Sequence, residues 1–554
     1  MSRWSEHYDH PGRWDDVPAA CAVPDLLRRS AARTPDAPCL DFLGRGWTYA
    51  QVWDAVQRFA GGLAAHGIGR GTTVGLFLPN CPQYVIAYYG AMLSGATLVN
   101  FSPLYTAGEL AAQVADSGTT VMVTLDVTAL YPTIAKVPGL RLIVGNLPEV
   151  LPPLKSLAYR LLKRSERATV AAADLRFADV LRSPPLANPP VLDVHDVALL
   201  QYTGGTTGSP KGAVLTHANL SINAGQVHAL DPVPEESDRI LGALPFFHVF
   251  ANTCILNRTI LRGGQIVMLP RFELNAVLAA IPKHKITAMP GVPTMYRALL
   301  DAPGLGDTDL SSLRICISGG APLPLELKAA FEARSGATLV EGYGLTESSG
   351  VVSCNPYAGG GLAGSIGQPL PGTDIRLVDK DNPALPALEG EPGEITVSGP
   401  QIMARYHGQA GETANVFIEH DGRRWLRTGD VGTIDTRGYV SVVDRLKDMI
   451  VVGGFKVFPS VLEDILYKIP GVREALVIGI PDRRQGERPK AFVTLAPDAD
   501  TYGELLLAHL NAQVGKHERA VAVEVRVSLP KTMIGKLSRK ELVAEEIARA
   551  ASAV

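Results

Sequence analysis

A stretch rich in glycine and hydroxyl side chains is a candidate phosphate-binding loop. Residues 202–213 read Tyr-Thr-Gly-Gly-Thr-Thr-Gly-Ser-Pro-Lys-Gly-Ala and directly follow an apolar run at 197–201. Glycines let the backbone approach a ligand closely, and hydroxyls beside a lysine suit polyphosphate oxygens. Lys211 is followed by Gly212 instead of Ser or Thr, which argues against a Walker A loop. The candidate nucleotide contacts are Thr203, Gly204, Gly205, Thr206, Thr207, Gly208, Ser209 and Lys211.

Other polar positions have both a chemical and a structural interpretation. Glu347 closes the stretch Tyr343-Gly-Leu-Thr-Glu, where its carboxylate can serve Mg²⁺ or cap a helix. Asp430 ends Arg427-Thr-Gly-Asp, where an Asx-turn is the ordinary alternative. His248 stands in an aromatic run, and a lone histidine there is more often packed than catalytic. The residues alone leave these alternatives open.

Seven further motifs follow the loop in order across nearly the whole chain. They are Leu244-Pro-Phe-Phe-His-Val-Phe-Ala, Ile317-Ser-Gly-Gly-Ala-Pro-Leu, Glu341-Gly-Tyr-Gly-Leu-Thr-Glu-Ser, Arg427-Thr-Gly-Asp, Asp444-Arg-Leu-Lys-Asp, Val452-Gly-Gly-Phe-Lys-Val-Phe-Pro and Pro530-Lys-Thr-Met-Ile-Gly-Lys. With the loop, they make the chain resemble the adenylate-forming superfamily of acyl-CoA synthetases, aryl-CoA ligases, luciferases and peptide-synthetase adenylation domains. Within it, the chain looks like a bacterial long-chain fatty acyl-CoA synthetase.

The resemblance implies a two-step reaction that uses ATP, Mg²⁺ and coenzyme A. A carboxylate is a poor electrophile, so a fatty acid is first joined to AMP with release of pyrophosphate. The acyl group then passes to the thiol of coenzyme A, which gives acyl-CoA and releases AMP. The first step needs in-line attack on the α-phosphorus of ATP, which proteins promote by positioning the reactants and neutralising charge.

The resemblance also assigns catalytic roles to individual residues. Lys536 corresponds to the lysine that bridges carboxylate and phosphate oxygens, although in composition it looks like any solvated lysine. Thr346 reaches a phosphate oxygen, and Glu347 is associated with Mg²⁺. Asp430 accepts the ribose hydroxyls, and Arg445 assists it.

A flat adenine base is expected between an aromatic ring and a glycine-rich wall. By resemblance, Tyr343 stacks on one side of the base, and small glycines on the other side let it lie against the backbone. The predicted contacts with the base and its surroundings are Gly319, Gly320, Ala321, Pro322, Glu341, Gly342, Tyr343 and Gly344.

The second step implies that the C-terminal part rotates. The family's hinge position is Lys447 here, and rotation replaces the Lys536 loop by a segment that forms the coenzyme A path. That segment comprises Gly453, Gly454 and Phe455. We expect an N-terminal domain at 1–444 with the nucleotide and acyl sites, and a mobile C-terminal domain at 445–554.

An acyl pocket is expected between the His248 region and residues 319–347. The predicted lining residues are His248, Val292, Met295, Gly319 and Gly320. No charged residue is evident there to hold an amino group, which favours an apolar tail. Asn252 stands where some long-chain members have a gate tryptophan, so medium-chain and aryl acids stay open. Loading of an acyl carrier protein is a further alternative, although no carrier domain follows Lys536.

The elements that position these residues are predicted to be of the α/β class. Apolar runs and helix-like stretches alternate from about residue 41 to 345, for example a strand at 73–78, a helix at 82–94 and a strand at 96–100. Short strands and Pro-Gly or Asp-Gly turns then predict a small β-rich subdomain. We therefore expect two α/β subdomains, the β-rich subdomain and a small α+β domain.

Composition excludes some classes of function. The 554 residues are 46% hydrophobic and have a net charge of −3, so we expect several compact units and no nucleic-acid partner. Six dispersed cysteines without a CxxC pair indicate packed thiols instead of a zinc site. No signal peptide or apolar run of about 20 residues is evident, which predicts a cytoplasmic protein. The resemblance also implies a homodimer.

Residues 151–167 form a separate basic amphipathic pattern. On a helix, one face carries Leu154, Leu157, Ala158, Leu161 and Leu162, whereas the basic side chains lie mainly elsewhere. Such a helix can lie on an anionic membrane, here the inner membrane face, or cap the protein's own core. Both interpretations remain open.

Overall fold

The computed structural model describes residues 3–203, 210–233, 238–497, 499–532 and 535–552. Within these ranges the chain forms two large, mostly parallel sheets, a small antiparallel sheet and a C-terminal sheet. Helices flank the large sheets, and the predicted α/β class is confirmed. The strand at Thr73–Leu76, the helix at Pro82–Leu93 and the strand at Thr97–Asn100 reproduce the predicted alternation to within two residues.

The first large sheet carries the candidate phosphate loop. Within the described residues its spatial order is Arg405–Tyr406, Gly212–Thr216, Val197–Tyr202, Thr97–Asn100, Thr73–Leu76, Val121–Leu125, Arg141–Gly145 and Leu175–Arg176. The strands from Val197–Tyr202 onwards are parallel, whereas Val197–Tyr202 and Gly212–Thr216 are antiparallel. The loop therefore connects two neighbouring strands.

The second large sheet carries the predicted adenine and acyl motifs. In the described part of the chain its order is Gln368–Pro369, Ser353–Cys354, Thr338–Tyr343, Ile315–Gly319, Ala288–Gly291, Arg239–Gly242, Gln265–Met268, Pro38–Phe42 and Arg45–Thr48. Ile315–Gly319 and Thr338–Tyr343 are parallel neighbours, and Gly319 lies opposite Gly342. Because carboxyl ends of parallel strands share one edge of a sheet, both motifs meet there.

Two smaller sheets complete the described fold. The β-rich subdomain orders Asp374–Val378, Gly393–Ser398, Arg423–Ile434 and Phe417–His420, with Val440–Arg445 also paired to Arg423–Ile434. The C-terminal sheet orders Phe455–Val457, Ile450–Val452, Gly486–Leu495 and Val472–Asp482, with Val523–Val525 also paired to Gly486–Leu495. This last sheet surrounds its own apolar cluster, separate from the main core.

The helices cover the sheets and connect their strands. Their bounds are Val23–Arg33, Tyr49–Ala65, Pro82–Leu93, Ala107–Ser117, Tyr131–Ile134, Pro153–Leu162, Phe177–Val180, His217–Ala229, Val249–Ala251, Arg258–Arg262, Leu274–His284, Pro293–Leu300, Leu325–Ser335, Ala410–Val416, Pro459–Tyr467, Gly503–Ala512 and Arg539–Ser552. Among the described residues, no helix has the length and apolar character needed to cross a bilayer. All six cysteines are buried thiols.

A buried ionic cluster anchors the helical segment that follows His248. That segment continues through a π-helical turn at Asn252–Asn257 to Arg258, whose guanidinium contacts Asp231 at 2.7 Å and Asp238 at 2.5 Å. Arg314 also contacts Asp231, at 2.8 Å. Charges out of water are stable only when paired, so this cluster constrains the segment beside the candidate site.

Removal of one acid should therefore destabilise the N-terminal part of the protein. Asp231→Ala leaves buried guanidinium charge uncompensated, and we expect the free energy of unfolding to fall by about 3–5 kcal/mol. Urea unfolding monitored by circular dichroism measures this change. The exposed Asp36→Ala is the matched control and should change stability by less than about 0.5 kcal/mol. Equal midpoints for the two variants would contradict the prediction.

Candidate active site

The loop that carries Lys536 lies on the carboxyl edge of the second large sheet. Thr294 donates a hydrogen bond from its Oγ1 to the carbonyl of Gly535 at 3.0 Å. The Lys536 side chain lies over Gly320, so close that a Cβ at position 320 would stand 2.4 Å from Lys536 Cε. Gly320 also has φ +82°, a conformation that favours glycine. The structure thus brings together two predicted site residues that are 216 positions apart in the chain (536 − 320).

The surroundings of Lys536 disfavour its charge. Burial, followed by the nearby Arg445, lowers the pKa of Lys536 to about 8, and Asp430 opposes this shift. Burial and Lys536 together lower the pKa of His248 to about 3, so this imidazole is neutral. His248 Nδ1 accepts the backbone N–H of Phe250 at 3.4 Å. A desolvated ammonium beside a neutral histidine is an arrangement that attracts an incoming anion.

Asp430 forms the centre of a second group at the site. It is 2% exposed, and its two carboxylate oxygens have different partners. Tyr343 Oη donates to Oδ2 at 2.5 Å, and Arg445 Nε contacts Oδ1 at 2.7 Å. Asp430 and Arg445 are cross-strand neighbours, so the β-rich subdomain holds this pair in register. The predicted ribose residues and the predicted adenine residue are therefore adjacent.

Backbone contacts fix the loops on either side of Tyr343. The carboxyl group of Glu341 lies near the backbone N–H of Leu323, which directly follows Ala321 and Pro322 and acts to lower the pKa of this group. Burial raises the pKa of Glu341 to about 8 in spite of this effect, so this group takes up a proton near neutral pH. Gly344 packs on the backbone of Gly350, where an added Cβ would lie 2.1 Å from a carbonyl oxygen. Any side chain at 344 would push the two strands of this turn apart.

Thr346 and Glu347 begin a short 3₁₀ helix, Thr346–Ser348, beyond this turn. Glu347 Oε1 accepts a hydrogen bond from Tyr406 Oη at 2.6 Å. Within the described residues, no group of three or more His, Cys, Asp or Glu side chains is placed to hold a metal ion. One carboxylate still fits Mg²⁺, because this ion is commonly bound by one or two carboxylates together with substrate phosphates and water.

The candidate phosphate loop is described only at its ends. Residues 204–209 lie outside the described residues, so the predicted contacts of Gly204, Gly205, Thr206, Thr207, Gly208 and Ser209 stay predictions. The Thr203 N–H donates to the Lys211 carbonyl at 3.0 Å, which closes the base of the loop. Lys211 Nζ is paired with Glu412 and lies 5.2 Å from the ring centre of Tyr406.

Three of the predicted acyl-pocket residues, His248, Val292 and Gly320, lie beside the Lys536 loop. Val292 and Met295 are buried, and Val292 Cγ2 would lie 3.4 Å from a Cβ at Gly535. The ring of Phe250 lies against Gly319, where an added Cβ would stand 3.0 Å from Phe250 Cζ. The side chains placed here are mainly apolar.

Asn252, at the position of the gate tryptophan of some relatives, belongs to a buried polar cluster. Its Oδ1 accepts hydrogen bonds from Tyr88 Oη at 3.0 Å and from Asn257 Nδ2 at 2.9 Å. It is fully buried, and it follows His248 by one turn, with its N–H donating to the His248 carbonyl at 2.9 Å. The cluster fixes the helical segment behind His248.

The predicted coenzyme A segment is not part of this assembly. A Cβ at Gly453 or Gly454 would meet no atom within 4 Å, and Phe455 is 61% exposed and packs on His517. Lys447, the predicted hinge, is an exposed residue, although partial desolvation of its ammonium group lowers its pKa. Lys536 rather than Gly453–Phe455 therefore faces the N-terminal residues in this arrangement.

Sequence reasoning missed three neighbours of the site. Tyr406 and Glu412 contact Glu347 and Lys211, and Phe250 covers Gly319. Tyr406 is 59 positions from Glu347, and nothing in the local spacing identifies that contact. Phe250 is adjacent to His248 in a recognised motif, so that motif could have indicated it.

Comparison with known proteins assigns the class. The chain belongs to the AMP-binding enzyme family, because the family profile matches residues 27–407 and the AMP-binding enzyme C-terminal domain matches residues 461–536. The predicted superfamily and the prediction that the protein is an enzyme are thereby confirmed.

Individual proteins named CoA ligases or CoA synthetases are similar to this chain over nearly their full length. A long-chain-fatty-acid–CoA ligase of Bacillus subtilis (strain 168) is 38% identical over 548 residues, covering 96% of this chain and 97% of the relative. The structure of the anthranilate CoA ligase AuaEII in complex with anthranoyl-AMP is similar, with a TM-score of 0.85 and 26% identity. The match covers 97% of this chain and 100% of that chain. The structure of the o-succinylbenzoate CoA synthetase of Bacillus subtilis with ATP and magnesium ion is also similar, with a TM-score of 0.76 and 26% identity. The match covers 93% of this chain and 98% of that chain.

The pKa of Lys536 makes the first half-reaction sensitive to alkaline pH. If the lysine must be protonated, kcat/KM for ATP in acyl-AMP formation should fall about tenfold per unit once the pH rises above about 8. In Lys536→Arg the guanidinium stays charged, so the falling limb should move beyond that range. Pyrophosphate release measured across neutral and alkaline pH tests this prediction.

A second substitution distinguishes loss of the lysine charge from general damage to the enzyme. Lys536→Ala should abolish acyl-AMP formation but retain thioester formation from supplied acyl-AMP, because the loop is needed only in the first step. Equal loss of both half-reactions, or an unchanged pH profile in Lys536→Arg, would contradict the role of this lysine.

Proposed function

We propose that this protein is an ATP-dependent acyl-CoA synthetase that forms an acyl-adenylate and transfers the acyl group to coenzyme A. The observation that carries the proposal is the enclosed Lys536, held over Gly320 beside His248 and the Asp430–Arg445 pair. A cation shielded from water and close to nucleotide-binding groups suits charge that develops on phosphate and carboxylate oxygens. The relatives that are CoA ligases support the same reaction class.

In the proposed first step, a carboxylate oxygen attacks the α-phosphorus of ATP and pyrophosphate leaves. Lys536 bridges the reacting carboxylate and phosphate, and neutral His248 orients the carboxylate at the mouth of the pocket. Thr346 contacts a phosphate oxygen. Glu347 binds Mg²⁺, which neutralises phosphate charge when it is bound. The solved relative with ATP and magnesium ion supports the choice of this metal.

In the proposed second step, the C-terminal domain turns about Lys447. Lys536 leaves, and Gly453, Gly454 and Phe455 approach to form the path for the coenzyme A thiol. The segment's exposed position supports this, because few contacts need to break before it moves. We keep the boundary between 1–444 and 445–554 as part of this proposal.

The proposed acid is a long-chain fatty acid. Apolar Val292 beside the Lys536 loop, Phe250 against Gly319 and the buried Met295 favour a hydrocarbon tail, as does similarity to the Bacillus subtilis long-chain ligase. The similarity to an anthranilate ligase supports an aryl acid as the second candidate. Medium-chain acids and an acyl carrier protein as acceptor are further alternatives that the same measurement distinguishes.

A panel of acids tests the proposed reaction and substrate together. Pyrophosphate release and thioester formation are measured for fatty acids of graded length and for aryl acids, with coenzyme A or a carrier protein as acceptor. Each additional buried methylene is worth about 0.8 kcal/mol, so kcat/KM should rise about fourfold per carbon until the pocket is filled. An aryl preference, or release of pyrophosphate without acyl-CoA, would contradict the proposal.

We also propose that the helix Pro153–Leu162 docks the protein on an anionic lipid surface. Its leucines face solvent, with exposures of 83% for Leu154, 57% for Leu157, 70% for Leu161 and 79% for Leu162. This face does not cap the core, and none of the helix residues is buried. Exposed basic residues, including Arg160 and Arg164, accompany the leucines and complement anionic headgroups.

Vesicle co-sedimentation tests the docking helix. Leu154→Ser combined with Leu157→Ser and Leu161→Ser should weaken binding to anionic vesicles at least about tenfold, because each buried leucine contributes about 1.5–3 kcal/mol. The matched control is Leu385→Ser with Leu388→Ser, which alters exposed leucines elsewhere. Unchanged vesicle binding would overturn the proposal. Loss of a concentration-dependent dimer instead of vesicle binding would identify a subunit interface.

A further inference from the structure

Tyr406 connects two charged residues of the candidate site. It lies on the edge strand Arg405–Tyr406, which pairs with Gly212–Thr216, and it is 5% exposed. Its Oη donates to Glu347 Oε1 at 2.6 Å, and Lys211 Nζ lies 5.2 Å from the centre of its ring. One buried side chain thus contacts an acid and a base of the proposed polyphosphate site.

Glu347 is held at its backbone and at one carboxylate oxygen. The Met403 N–H donates to the Glu347 carbonyl at 2.7 Å, and the Tyr406 phenol occupies Oε1. In the described ranges of the chain, no donor contacts Oε2. A carboxylate with one oxygen fixed by a buried donor keeps its orientation, so the other oxygen points in one direction. This geometry suits an oxygen that binds a metal ion.

Lys211 contacts the same segment as Glu347, residues 405–412, but through a different side chain. Its Nζ pairs with Glu412, and it packs over the Tyr406 ring. Residues 405–412 therefore supply a separate partner to each side chain, Glu412 to Lys211 and Tyr406 to Glu347.

We propose that Tyr406 is a positioning residue that directs Glu347 Oε2 towards the Mg²⁺ of MgATP. This inference rests on the proposed function, which takes Glu347 as the carboxylate for the metal. Burial and the charge of Glu347 raise the pKa of Tyr406 well above its usual value.

Tyr406→Phe tests the inference, because it removes the hydroxyl and leaves the ring beneath Lys211. ATP binding to the full-length protein is measured by calorimetry without fatty acid, with Mg²⁺ present or chelated. We expect the Kd of MgATP to rise about 10-fold to 100-fold, as for loss of a group that orients a metal ligand. The Kd of metal-free ATP should not change. In turnover, KM for MgATP should rise and KM for the fatty acid should not.

Two further variants distinguish positioning from damage. Tyr439→Phe is the matched control, because Tyr439 is also a buried tyrosine and its Oη donates to Asp9 Oδ2 at 2.7 Å. This variant should leave both Kd values unchanged. In a Glu347→Gln background, Tyr406→Phe should have no further effect on MgATP binding, because the residue it acts through is already altered.

The outcomes separate this inference from the proposed function. Equal weakening of MgATP and metal-free ATP by Tyr406→Phe, or no weakening of either, overturns the positioning role while the function stands. If wild-type ATP binding is independent of Mg²⁺, or Glu347→Gln leaves it unchanged, the metal assignment fails and the positioning role fails with it. The acid panel then still shows whether the wild-type protein forms acyl-CoA.

Discussion

Enclosing Lys536 against Gly320 strips water from an ammonium group, and much of the site is arranged around that contact. A cation with little solvation interacts strongly with any anion that reaches it, which is the property needed where phosphate and carboxylate charge develop. The contact requires a residue without Cβ at position 320 and an anchor for the loop, which Thr294 supplies. It also brings the C-terminal segment onto the edge where the parallel strands of the second sheet end.

Two tyrosines donate hydrogen bonds to two carboxylates of the site, the buried Asp430 and the partly buried Glu347. Tyr343 donates to Asp430, and Tyr406 donates to Glu347. A buried carboxylate without a donor is costly, whereas a lysine as its partner would neutralise the charge that a ligand needs to meet. A phenol satisfies one oxygen without adding positive charge. The two phenols thus help to orient both carboxylates, of which Asp430 is also paired with Arg445.

The contacts between the N-terminal and C-terminal parts are compatible with movement. Besides the Lys536 loop, they include ion pairs between Arg473 and Asp301 at 3.7 Å and between Lys456 and Asp381 at 2.9 Å. Such partly exposed pairs contribute little to stability, so they can break and form again during a catalytic cycle. The separate apolar core of the C-terminal sheet lets that part remain folded when these contacts change.

The sequence by itself determined the reaction class and the α/β fold, because both are encoded locally, in contiguous motifs such as 202–213 and 341–348 and in the alternation of apolar runs. Only the tertiary structure identified Tyr406 and Glu412, since their partners are distant along the chain. It also decided which way the leucines of Pro153–Leu162 face: periodicity predicts one apolar side, but its direction depends on how the rest of the chain packs. Contacts between remote segments depend on the packing of whole sheets, and no short stretch of sequence contains that information.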